Sequence, residues 1–273
     1  MMFSSTTRSV VAVAGLAMAT ASLAACAPSS SAHGLSVVAT TTQICDYVTQ
    51  IAARSADISL DKTDAAGKNS HVGAAPDGAA LTMSLTCLLA PNASAHEHEM
   101  TPAQTSALAQ ADVMAVSGVD LEHFLDDAVV SSGFKGRMVV TSGVLTAADV
   151  DNPGAPDPEG AYTIDRGSER VDVAPWPFPP EEAGEEPEFR FDPHVWTSPK
   201  GARVQVANLG AGLAAAAPDA ASSINAATAS YLEDIDALDE WTAEAIETVP
   251  EGQRVLFTSH DAFGYFSRDY GIR

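Results

Sequence analysis

Short apolar runs and amphipathic stretches alternate along most of this chain, and their spacing predicts the elements. Residues 35–40 form a β-branched run and read as a strand. Residues 43–54 follow with Ile44, Tyr47, Val48 and Ile51 at helical spacing. Residues 61–80 are polar and glycine-containing, an irregular excursion, and a second strand covers 81–89. The loop 90–102 ends at Thr101, where Pro102 suits the first turn of a helix. A third strand is predicted at 112–117, a helix at 121–130 and a fourth strand at 137–142. Strand and helix in alternation, with short connections, call for a parallel sheet covered on both faces.

Beyond residue 149 the pattern breaks. Residues 149–192 hold thirteen Asp or Glu against three Arg, and nine of the 16 prolines fall between 153 and 193. Regular structure is not expected there, and the segment reads as a mobile acidic flap. Order returns at Asp192-Pro193-His194-Val195-Trp196. Ser198 and Pro199 then make a helix start, cap followed by proline, for a helix reaching about residue 216. From Asp219 the positions Ile224, Thr228, Tyr231, Ile235, Leu238, Thr242, Ala245 and Val249 step by threes and fours, and Pro250-Glu251-Gly252 ends the run. A helix of roughly 30 residues spans about 45 Å, long enough to link two lobes. Residues 254–259 then read as a buried strand, and Phe263, Phe266 and Tyr270 as a last helix stopped by Gly271.

Charge and cysteines narrow the classes. A formal net charge of −22 over 273 residues leaves no basic stripe for nucleic acid. At the start, Arg8 precedes an apolar, alanine-rich run that ends at Leu23-Ala24-Ala25-Cys26, so residues 1–26 read as a targeting segment and 27–34, rich in Ser and Pro, as a tether. The tetrapeptide resembles a bacterial lipobox, which implies that Cys26 carries lipid; an ordinary cleaved signal with an incidental cysteine is the other reading. Cys45 and Cys87 remain. They fall on adjacent predicted elements, so a bridge is reasonable in an oxidising compartment, with two free buried thiols as the alternative.

The candidate chemistry lies in three histidines. His96, His194 and His260 each follow a strand-like or extended run and enter a polar loop. Ligands of open α/β sheets are held at the carboxyl ends of strands. Three imidazoles gathered there suit a borderline-soft divalent metal such as zinc. His98 competes with His96 for the same role, whereas His33, His71 and His123 read as surface residues. Asp192 and Asp261 flank two of the histidines and could orient them. Trp196 and Phe263 read as packing residues.

In their order along the chain, these motifs resemble the zinc- and manganese-binding substrate-binding proteins of bacterial ABC importers. The resemblance rests on Thr40-Thr41-Thr42, the His96 loop before Glu99-Met100-Thr101-Pro102, the Asp112 strand with Gly118 to Glu122, Pro193-His194-Val195-Trp196, the long helix and Ser259-His260-Asp261-Ala262-Phe263-Gly264-Tyr265-Phe266. It implies an α/β, two-lobed fold with parallel sheets and a linking helix. The lobes divide into an N-terminal α/β lobe at 35–148, the flap at 149–192, a completing helix at 193–218, the link at 219–250 and the start of a second lobe at 251–273. That second lobe is expected to be incomplete, with its fourth metal ligand missing, residues beyond 254 poorly supported and the chain cut easily after about Val249. His96, His194 and His260 match the family's first three ligands, although Ser94 and Ala95 depart from its usual Asp-Pro before the first. The implied function is a lipid-anchored, extracytoplasmic, monomeric receptor that captures Zn²⁺, or Mn²⁺, and passes it to a membrane permease without chemistry. Neutral imidazoles are needed, so affinity should fall as pH drops through about 6.5. A zinc enzyme and a metal-stabilised adhesin are the competing classes; the chain has no His-Glu-x-x-His helix to supply a catalytic base.

Overall fold

The computed structural model describes residues 1–2, 34–157, 160–178, 180, 187 and 189–273; the targeting segment, Cys26 and His33 lie outside them. Its centre is a seven-stranded sheet in the order β3-β2-β4-β1-β5-β6-β7. In the chain, β1 (Leu35–Ala39) leads to α1 (Thr42–Ala53), β2 (Ile58–Thr63), β3 (Asn69–Gly73) and β4 (Leu81–Cys87). Then come α2 (Pro102–Ala109), β5 (Val113–Val116), α3 (Leu125–Ser132), β6 (Arg137–Val140), α4 (Ala147–Asp151) and β7 (Thr163–Asp165). Three helices end it: α5 (Pro199–Ala216), α6 (Ala221–Glu247) and α7 (Gly264–Tyr270). Every pairing is parallel except that of β2 with β3.

Successive side chains of a strand point to opposite faces, and the core divides accordingly. Val113 and Ala115 of β5 and Val139 of β6 pack under α1, α5 and α6 with Ile44, Val48, Leu209 and Ile224. Met114, Val116, Met138 and Val140 pack on the other face with Leu108 of α2 and Leu125 and Ala128 of α3. Both faces are therefore dry, as a parallel sheet requires. The helix starts follow local chemistry: the Thr41 hydroxyl accepts from the Ile44 N–H at 3.2 Å, Thr101 and Gln104 form a capping box, and Ser198 caps α5. Gly210 lets α6 approach α5, because a Cβ there would lie 2.3 Å from the Thr228 hydroxyl.

Four sequence expectations need correction. The excursion at 61–80 contains the hairpin β2–β3, whose outer strand is almost wholly exposed and so carries no apolar period. The helix expected at 121–130 begins at Leu125; Leu121 to Phe124 turn first. The acidic segment is more ordered than its composition implies. It contributes most of α4 and the parallel edge strand β7; Arg137–Asp165 (2.9 Å) ties it to β6, and Arg166–Asp149 (3.1 Å) joins two parts of the segment itself.

The fourth correction concerns residues 254–259, which form no strand. Val255, Leu256 and Phe257 are exposed at 45%, 39% and 92%. A strand needs neighbours for its amides, and here Leu256 N–H donates only to the Arg273 carbonyl while Arg273 N–H donates to that of Arg254. The end of the described chain is nevertheless anchored. Tyr265 is 1% exposed, and its hydroxyl donates to the Asp192 carbonyl at 2.8 Å and accepts from the Ala174 N–H at 3.2 Å. Through Tyr265, α7 thus packs against Ala174 and Asp192 at the base of the acidic segment.

Candidate metal centre

His96 sits in the loop between β4 and α2, His194 just ahead of the 3₁₀ turn Val195–Thr197, and His260 in the extended run before α7. The fold brings all three together: one ligand atom from each lies within 4.8 Å of the others. Nε2 of His194 and Nε2 of His260 are 3.3 Å apart. Two nitrogens each about 2.1 Å from a shared tetrahedral ion would be about 3.4 Å apart, so this pair fits zinc, with the third imidazole somewhat splayed. A further sign of fit is Nδ1 of His96, which is buried with no hydrogen-bond partner. A buried polar atom left unpaired is costly and asks for a ligand.

Each imidazole is positioned differently. His194 is 1% exposed, and Asp192, fully buried, accepts from both its backbone N–H and its Nδ1 at 2.9 Å. A proton held on Nδ1 leaves the Nε2 lone pair free to face the cluster. His96 is half-buried; burial, then the neighbouring His194, lowers its pKa from 6.5 to about 4, so it stays neutral well into acid. His260 is exposed. Its segment is held close by Gly264, where a Cβ would stand 2.4 Å from Oδ2 of Asp192.

The other candidates separate clearly. His98 turns away, its ring 5.0 Å from that of Phe124, and burial lowers its pKa. His123 is exposed with its ring 6.1 Å from that of His96, outside the cluster. His71 pairs with Asp61 on the β2–β3 hairpin, a hydrogen bond that raises its pKa. Asp261 is exposed, so the orienting role falls to Asp192 alone; Phe263, at 40% exposure, is no core residue. Cys45 and Cys87 are joined, S–S 2.00 Å and Cα–Cα 5.6 Å, across α1 and β4.

Two residues that sequence reasoning passed over stand beside the centre. Phe189 and Trp176 of the acidic segment place their rings against the histidines; aromatic residues interrupting so acidic a stretch were the available signal. Glu122 is buried at the ends of β1 and β5, its carboxylate accepting from the Thr40 hydroxyl at 2.6 Å and the Ser117 and Gly118 amides at 2.7 and 3.1 Å. Burial raises its pKa against the pull of those donors.

A mostly parallel α/β sheet with helices on both faces, carrying three histidine nitrogens in loops beyond its carboxyl edge, defines a class of fold that can hold a ligand. The family described as zinc-uptake complex component A, periplasmic, matches residues 79–273, and the chain belongs to it. The manganese-binding lipoprotein MntA of Bacillus subtilis is 28% identical over 225 residues, 82% of this chain and 62% of that protein. The zinc-binding protein TroA of Treponema pallidum is 36% identical over 85 residues, 31% of this chain and 28% of its own. Among solved structures, Zn(II)-bound AdcA from Streptococcus pneumoniae superposes with a TM-score of 0.58 at 20% identity, covering 88% of this chain and 38% of that one. The periplasmic zinc-binding protein TroA superposes at 0.54 and 22% identity, covering 88% and 65%. These likenesses show the shared α/β fold. The chain spans 62% of the length of the Bacillus relative.

Proposed function

We propose that this chain captures a divalent transition metal outside the cytoplasm, zinc in preference to manganese, for delivery to an ABC permease. The observation that carries the reading is the convergence of His96, His194 and His260, with an unpaired buried nitrogen among them. Three imidazoles favour zinc on softness, whereas an oxygen-rich site would favour manganese. His194, locked by Asp192, is the fixed ligand; His96 is kept neutral by burial; His260, exposed, is the ligand that engages last. The ion is cargo, bound and released unchanged. The names of relatives, a manganese-binding lipoprotein and a zinc-binding protein, support the cargo class, and the first supports an anchor through lipid at Cys26.

The test is calorimetric titration of the metal-free 273-residue chain with Zn²⁺ and Mn²⁺, beside His96→Ala, His194→Ala and His260→Ala. Each loss of a ligand should weaken zinc by more than the about 10–100-fold that removal of an outer-shell partner costs. Unchanged affinity in any two of the three variants would sink the site. Metal-dependent hydrolase turnover by the parent would favour the enzyme reading instead. Loss of metal uptake in a deletion strain separates a receptor from an adhesin.

A further inference from the structure

The acidic segment brings two aromatic rings against the histidine cluster. Its ends pair as an antiparallel stem: Trp176 N–H donates to the Arg190 carbonyl at 3.1 Å, Asp192 N–H donates to that of Ala174 at 2.9 Å, and Pro175 opposes Phe191. Phe189, 5% exposed, places its ring centroid 4.9 Å from that of His96 and 6.2 Å from that of His194. Trp176 stands 5.1 Å from Phe189 and 5.8 Å from His194. Solvent reaches the cluster beside His260, the exposed member.

The geometry points to Phe189 and Trp176 as specificity-determining residues for the captured ion. They touch the ligands rather than the metal. Among the described residues that flank is aromatic, so there an ion held by the three histidines meets carbon rather than oxygen, and the open approach lies on the His260 side. Zinc is content with four ligands in a tetrahedron, whereas manganese(II) seeks an octahedral, oxygen-rich shell. An apolar wall therefore discriminates by coordination number, and it adds to the preference that three nitrogens already give. This inference rests on the three-histidine reading and supplies a source of selectivity within it.

Cobalt(II) is the probe, because four-coordinate cobalt absorbs strongly in the visible and six-coordinate cobalt weakly. The cobalt-loaded 273-residue chain should show the strong band. Phe189→Ala should weaken it and lower the zinc-over-manganese affinity ratio about tenfold, in the range of outer-shell changes. Phe189→Leu, which keeps apolar bulk, should preserve both, and Trp176→Ala opens the same wall should Phe189→Ala fail to fold. A weak band in the parent, or a folded variant with the band intact and the ratio moved less than about twofold, overturns the inference. His194→Ala keeps the two readings apart: loss of the band there leaves the three-histidine site standing whatever Phe189→Ala does, whereas a band that survives it fails both.

Discussion

Reduction of the Cys45–Cys87 bridge offers a quantitative test of how the fold is held. The bridge joins residues 42 apart in sequence. In the chain-entropy model a loop of that length restricts the unfolded state by about 4 kcal/mol. Cys45 of α1 and Cys87 of β4 are 5% and 2% exposed and belong to the core, so reduced thiols would keep nearly the same packing and the loss should be almost wholly one of connectivity. For a domain of this size each kcal/mol moves the melting temperature by about 2–4 °C, which predicts a fall of about 8–16 °C. The ion site should be spared. Although Cys87 ends β4 just before the His96 loop, that loop keeps its own anchors: Leu88 N–H donates to the Ala39 carbonyl at 3.0 Å, and Gln104 Nε2 donates to the Leu88 carbonyl at 2.8 Å. Urea denaturation of the metal-free chain with and without reductant gives the free-energy difference, and zinc titration of the reduced form gives the affinity. A stability difference below about 1 kcal/mol would refute the connectivity argument. A collapse of zinc affinity on reduction would show instead that the bridge, not the loop anchors, positions His96.

The remaining predictions concern the site and its support. His96 takes up a proton near pH 6.5 when unfolded but only near 4 when folded, so falling pH favours unfolding across that window. The full shift would cost about 3 kcal/mol and solvent screening of a half-buried ring reduces that to about 1–2. Urea melts of the metal-free chain at pH 7 and pH 4 should therefore differ less in His96→Gln than in the parent; equal differences would count against it. In Gly264→Ala the added Cβ meets Asp192, which His194 holds in place, so the start of α7 must shift and carry His260 with it. Zinc affinity should drop about tenfold, and an unchanged titration would show that the segment accommodates the methyl group. Glu122→Ala strands three buried donors and should destabilise the chain by about 2–4 kcal/mol in chemical denaturation; a loss under about 1 kcal/mol would mean that water replaces the carboxylate.

The long elements were legible because their information is local. Thr41, Thr101 and Ser198 each cap the helix that follows them, and the apolar spacing of α1 and α6 repeats at the helical period whatever lies opposite. The β2–β3 hairpin was hidden because its outer strand buries almost nothing, so selection for burial left no alternation to read. The opposite error arose at 254–259. An apolar β-branched run has strand propensity by itself, but a strand exists only where another chain segment accepts its hydrogen bonds.

The same division runs through the site. The sequence by itself determined that three histidines enter loops at the ends of extended segments, that Asp192 stands two residues before one of them, and that the helices flanking them start where they do. Short-range spacing carries all of this. Only the tertiary structure decided that His96 rather than His98 faces His194, since the turn of one loop separates them and one ring must pack on Phe124. It also decided that Glu122 lies buried between the ends of β1 and β5, and that Phe189, from a segment whose composition promised no order, sets its ring beside that of His96. These contacts join residues tens of positions apart, and the free energy that selects them comes from burial shared among all the partners, which no window of sequence contains.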